Sequence, residues 1–278
     1  MGRIAAVILA AVVAGTASTA PAPAPTPEPV EIPHGEAKLK GFLYRPEGSG
    51  PFPAVVALHG CEGLAGVRSP LGRRYRDWGE RLVAAGFVVV FPDSFGARKL
   101  GPQCNAGERR LRSGRERVGD ADAVRQWLQE QAYVAPDRIS LLGWANGGVA
   151  ALWTVRPRAV KDGKPDFRSA VAIYPGCRRL RDTAWSARMP TLILAGAKDD
   201  WMPSTLCEQM VAGARGRSAQ AAIVVYPSAH HNFDHPNLPL QQRSGIALAT
   251  GAIGRVHVGT DTAARNDAFR RVPEWLAR

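Results

Sequence analysis

No heptad pattern persists along the 278 residues, and no internal repeat is present. Gly and Pro are scattered as punctuation, which excludes collagen-like and coiled-coil chains. Lysine is scarce: six of the 36 basic residues are Lys and thirty are Arg. No nucleic-acid motif accompanies the net charge of +12, so the excess reads as an Arg-rich solvated surface and no nucleic-acid partner is expected. Beyond Ala20 no apolar run is long enough to cross a bilayer. Apolar residues themselves are not lacking. At 45% hydrophobic and 22% charged, the bulk of the chain is not disordered, and its length can bury a sizeable core.

The first residues read as a targeting segment. Arg3 is a short positive region, Ile4 to Val13 is apolar, and small residues run through Ala20. That order predicts a signal peptide over 1–22 and export to the periplasm or the medium. A Pro-rich linker is expected over 23–34, and a single domain over 35–278. No membrane contact is expected beyond the signal peptide.

The rest alternates strand-like and helix-like segments. Ala54 to Leu58 (AVVAL) and Phe87 to Phe91 (FVVVF) are apolar runs without clear alternation, as buried strands are. Helical spacing appears over Tyr75 to Ala85, Arg117 to Gln131, Asn146 to Val155, Pro203 to Ala214 and Thr262 to Ala277, with further strands between. The expected fold is α/β, a doubly wound, mostly parallel sheet with helices on both faces. Phe95 to Glu116 and Asn232 to Val258 lack regular pattern, and the basic loop at 108–117 reads as a solvated face.

The most informative stretch is Ile139 to Ala151, ISLLGWANGGVAA. A strand runs into Gly143, Trp144, Ala145, Asn146, Gly147 and Gly148, and then a helix of small residues. This is the strand, sharp turn and helix of a nucleophile elbow, G-x-S-x-G. The nucleophile position holds Ala145, and a methyl group cannot attack a carbonyl. An acid follows a later strand at Asp199, with Asp200 as the alternative. A histidine follows the last predicted strand of the sheet at His231, with His230 as the alternative. The order nucleophile, acid, histidine is that of α/β-hydrolases, in which the base takes the nucleophile's proton and the acid orients the imidazole. The loop His59-Gly60-Cys61 would supply one oxyanion-hole N–H from Cys61, and the residue after the elbow, Asn146, the other.

Six segments carry a resemblance: LHGCEGL at 58–64, FPDSFGARKLGPQC at 91–104, GWANGG at 143–148, YPGC at 174–177, AGAKDDWMPSTLC at 195–207 and YPSAHHNFD at 226–234. Over Gly35 to Ala277 the chain resembles the dienelactone hydrolase family, in particular its exported members. The resemblance implies a carboxylic ester or lactone hydrolase acting on a small molecule, without metal or cofactor. It places the nucleophile at Ala145, the acid at Asp199 and the base at His231, the histidine followed by a small residue and Phe. The chain departs from the pattern twice. Ala145 replaces Ser or Cys, which implies an inactive or strongly impaired enzyme, and Glu62 stands where Gly is usual. A non-catalytic protein that binds an ester, lactone or carboxylate in the hydrolase pocket is the alternative.

Export puts Cys61, Cys104, Cys177 and Cys207 in an oxidising compartment. All four follow predicted strands at the carboxyl edge of a parallel sheet, and the expected pairs are Cys61–Cys104 and Cys177–Cys207.

Overall fold

In the computed structural model, the described residues are 2, 25–35, 37–105, 111–159, 163–247 and 253–278. But for Gly2, the expected signal peptide lies outside them. Eight strands form one sheet in the order β1-β2-β4-β3-β5-β6-β7-β8. They are β1 (Glu28–His34), β2 (Ala37–Tyr44), β3 (Phe52–Leu58), β4 (Val88–Pro92), β5 (Val134–Trp144), β6 (Ala170–Ile173), β7 (Thr191–Gly196) and β8 (Ala221–Tyr226). β1, β2 and β4 pair antiparallel, and every pairing from β4 to β8 is parallel.

The apolar runs divide between two layers as the pleat dictates. Ala54, Val56 and Leu58 of β3 join one buried cluster, while Val55 and Ala57 join the other. Val88 and Val90 of β4 separate from Val89 and Phe91 in the same way. Helices α2 (Glu116–Gln129), α3 (Asn146–Thr154), α4 (Arg178–Asp182) and α5 (Ser204–Gly213) cover the first layer. Helices α1 (Arg73–Ala84) and α6 (Thr262–Leu276) cover the second. The sheet is therefore doubly wound, and the carboxyl ends of β3, β5, β7 and β8 carry the segments of interest.

Three regions differ from the sequence reading. Glu28–His34, expected to be part of a linker, is instead the edge strand β1. Its two prolines are tolerated there, and Ile32 is the strand's one fully buried residue. Within 232–258, expected to be irregular, Gln241–Ala247 (β9) and Ile253–Val258 (β10) pair as antiparallel strands. In the basic loop, Arg117 is fully buried rather than solvated.

Candidate active site

The turn between β5 and α3 is made by close backbone contact. A Cβ on Gly143 would lie 2.3 Å from Gly147 O, and one on Gly147 would lie 1.9 Å from Leu58 O. Only glycine lets strand and helix approach this closely. Between them Ala145 takes φ 47° and ψ −110°, a left-handed conformation costly for any residue with a Cβ. Its N–H donates to Ile173 O at 2.9 Å, and its carbonyl accepts from Val149 N–H at 2.9 Å. Ala145 is buried.

Asp199 lies just beyond β7 and His231 beyond β8. His231 Nδ1 is hydrogen-bonded to Asp199 Oδ2 at 2.7 Å, and both side chains are buried. The other oxygen of Asp199 accepts the backbone N–H groups of Trp201 at 3.0 Å and Met202 at 2.8 Å. The imidazole sits between the rings of Tyr174 and Trp201, each centroid 4.5 Å away. Tyr174 directly follows Ile173, whose carbonyl holds Ala145, so one strand end supports both the turn and the histidine. The alternatives lie elsewhere. Asp200 accepts from the backbone and ring of His257 on β10, at 2.8 and 2.7 Å. His230 faces that same His257, ring centroids 5.8 Å apart.

The loop after β3 lies against the turn, since a Cβ on Gly60 would be 3.7 Å from the Ala145 Cβ. Gly60 N–H donates to the Tyr75 hydroxyl at 2.9 Å, and Cys61 O accepts from Gln103 N–H at 2.7 Å. His59 is fully buried; its Nδ1 meets Gly60 O at 2.8 Å and its Nε2 accepts Ser94 N–H at 3.2 Å. Burial, reinforced by the Arg117 cation, holds the His59 pKa well below its usual value, so the ring is neutral. Disulfides join Cys61 to Cys104 and Cys177 to Cys207, with Cα separations of 4.9 and 5.0 Å. Glu62 is turned to Arg243 of β9. Burial works against its charge, but Arg74 and Arg243 outweigh it and keep the carboxyl below its ordinary pKa.

Two buried groups near the turn were not legible in the sequence. Asp234 accepts the indole N–H groups of Trp78 and Trp144, both at 2.7 Å, and the Tyr174 hydroxyl at 2.5 Å. Arg117 donates to the Asn146 side-chain oxygen at 2.6 Å, and burial pulls its pKa down to about 10. Each partner comes from a distant segment, so no local pattern announces it. Among the described residues no group of three or more His, Cys, Asp or Glu is arranged to hold a metal ion.

A sequence model described as the dienelactone hydrolase family matches residues 39–278. A Salmonella typhimurium protein named "Putative carboxymethylenebutenolidase" is 26% identical over 264 residues, 89% of this chain and 85% of that one. A Bradyrhizobium protein named "Probable 2-oxo-3-(5-oxofuran-2-ylidene)propanoate lactonase" is 25% identical over 209 residues, covering 72% of this chain and 80% of its own length. The crystal structure of a Klebsiella pneumoniae protein called a "Putative Dienelactone Hydrolase" superposes with a TM-score of 0.70 at 22% identity, covering 91% of this chain and 98% of that one. Esterase 2 of Thermogutta terrifontis, phosphoramylated by tabun, gives 0.63 at 18% identity, with coverage of 92% and 96%. The structural likenesses speak for the fold.

Proposed function

The chain belongs to the dienelactone hydrolase family, and on that premise we propose that its site is built to cleave a carboxylic ester or lactone but lacks the attacking atom. The observation that carries this reading is the backbone of Ala145, held at φ 47° and ψ −110° where a nucleophile would project. The buried Asp199–His231 pair supports it. In this reading His231 is the base, and Asp199 fixes its tautomer and stabilises the imidazolium. The N–H groups of Cys61 and Asn146 receive the developing oxyanion. A serine at 145 would pass its proton to His231, form an acyl-enzyme and be regenerated by water. With alanine that covalent route is closed. What is left is binding of the ester, with slow water attack assisted by His231.

Restoring the oxygen tests the reading. Ala145→Ser is expected to raise hydrolysis of a short-chain nitrophenyl ester by roughly a thousandfold or more, with a nitrophenol burst. Folding is expected to be barely affected, because the backbone already has the required shape. A folded Ala145→Ser chain that stays inert would sink the hydrolase reading. The methyl group of Ala145 also favours a second reading, a non-catalytic protein that holds a small ester, lactone or carboxylate. A ligand-induced rise in melting temperature without turnover, before and after Ala145→Ser, identifies that case. The two disulfides support export to an oxidising compartment, periplasmic or extracellular.

A further inference from the structure

Arg117 is fully buried near the start of α2, yet it forms no ion pair with any described residue. The carboxylates whose charge reaches it, Asp120 and Asp93, are committed elsewhere. Asp120 takes both Nη groups of Arg98, at 3.1 and 2.6 Å, and faces His34 at 3.3 Å. Asp93 accepts the backbone N–H groups of Phe95 and Gly96 at 3.1 and 2.9 Å. Arg117 Nε reaches only Ser94 Oγ, at 3.4 Å, and its Nη2 has no partner. A buried cation without a counter-ion costs stability. Its one short bond is the 2.6 Å contact from Nη1 to Asn146 Oδ1.

That bond fixes the orientation of the Asn146 amide. A guanidinium carries donors only, so the amide oxygen faces it and the amide nitrogen is turned away from it. Nδ2 bonds no described residue, and unlike Arg117 Nη2 it is not enclosed. Asn146 is half-buried and directly follows Ala145. Its backbone N–H and that of Cys61 likewise donate to no described residue. The turn and the loop beside it therefore hold unspent donors of two kinds, main-chain and side-chain.

We propose that the Asn146 side-chain amide is a third donor to the oxyanion, beside the backbone N–H groups of Cys61 and Asn146, and that Arg117 is the positioning residue that aims it. The proposal rests on the hydrolase reading. An oxyanion hole works through donors that are in place before the charge develops, so that nothing reorients at the transition state. An asparagine amide free at both ends rotates; one held through its oxygen by a buried cation keeps its aim. The same cation polarises the amide and makes its N–H groups stronger donors. With its pKa pulled down to about 10, the guanidinium still carries its charge at neutral pH.

Kinetics in the Ala145→Ser background are the test. Asn146→Leu keeps the backbone N–H and the approximate size but removes the side-chain donor. It is expected to lower kcat for a nitrophenyl ester by about 100-fold, with KM within about threefold. The matching thionoester replaces the carbonyl oxygen with sulfur, a weak acceptor, and its kcat is expected to fall by less than about tenfold. A turn that was merely displaced would slow both esters alike. Arg117→Met leaves the donor present but unheld, and a loss of about tenfold in kcat is expected. Arg117→Lys, which can still donate to Oδ1, is expected to recover most of it. Should Asn146→Leu fail to fold with Arg117 left unpaired, the double variant Arg117→Met with Asn146→Leu removes both partners and is expected to show the same contrast between the esters. Equal losses for the two esters would overturn the donor role, and an Arg117→Met variant as fast as Ala145→Ser alone would overturn the positioning role.

Should Ala145→Ser prove inert, the parent chain decides without turnover. The monoanion of a methyl alkylphosphonate is a stable tetrahedral mimic of the oxyanion. Calorimetric titration is expected to show it binding at least about tenfold more weakly to Asn146→Leu than to the parent. In that case the hydrolase reading fails and the amide donor stands. An affinity that is undetectable, or unmoved by Asn146→Leu, would overturn both.

Discussion

Trp144 and Asp234 are ninety residues apart in sequence, and the indole N–H of the first donates to Oδ2 of the second at 2.7 Å. Trp144 is the last residue before the Ala145 turn, and Asp234 lies three residues beyond His231. The same carboxylate holds Trp78 of α1 and Tyr174 after β6. One buried charge therefore ties the turn, the histidine loop and a covering helix together. Asp234→Asn keeps the size but turns two acceptor oxygens into one. It is expected to lower the unfolding free energy by roughly 2–4 kcal/mol in urea denaturation. A loss below about 1 kcal/mol would show that the three donors find other partners.

Gly147→Ala is expected to be far worse than its single methyl suggests. The new Cβ would sit 1.9 Å from Leu58 O and 2.6 Å from His59 O, both backbone atoms. A loss of about 3 kcal/mol or more, or failure to fold, is the expected outcome in a urea melt. Gly213→Ala, where nothing lies within 4 Å of the new atom, is the control and is expected to be neutral or slightly stabilising.

The two neighbouring aspartates separate by kinetics. In the Ala145→Ser background, Asp199→Asn is expected to cut kcat by about 10⁴, because His231 loses the partner of its Nδ1 proton. Asp200→Asn disturbs a half-exposed contact to His257, and its effect on kcat is expected to stay within about threefold. Equal losses from both would show that Asp200, through β10, also sets the position of the histidine.

An acid-side dependence of stability is expected from α6. The Arg271 hydrogen bond, ahead of those from Arg270 and Tyr226, lowers the Asp267 carboxyl from 3.8 to about 2. Because the folded-state value is the lower one, its contribution is fully present above about pH 4 and is lost as pH falls through about 2. Asp267→Asn is therefore expected to narrow its melting-temperature deficit against the parent chain between pH 4 and pH 2. A deficit that stays constant over that range would rule the linkage out.

How much of this was readable in the sequence depends on where each residue finds its partners. AVVAL and FVVVF read as buried strands because both faces of the sheet are covered and neither face tolerates a charge. The turn at 143–148 read clearly because Gly143 and Gly147 are demanded by contacts within a few residues and by one crossing strand. β1 is not legible in the sequence, because an edge strand with two prolines and one fully buried side chain lacks the pattern of a strand. β9 and β10 are hidden for a similar reason: they lie outside the main sheet, and QQRSGIA is mostly exposed. Residues alone left His230 and His231 open; the Asp199 contact distinguishes their surroundings. Asp234, Arg74 and Arg117 gave no signal, because a buried charge is identified only by partners that the fold brings from elsewhere.

The glycine contacts also fix what can be done with position 145. Main-chain bonds to Ile173 O and from Val149 N–H hold Ala145, and Gly143 and Gly147 let strand and helix close around it, so the bend is independent of the side chain it displays. The turn is in effect a socket. A hydroxyl, a thiol or a non-natural nucleophile fitted there would inherit one and the same direction from the backbone at φ 47° and ψ −110°. Comparing such head groups on an otherwise unchanged chain would separate the reactivity of the atom from the contribution of the scaffold, a separation that an enzyme born with its nucleophile does not offer.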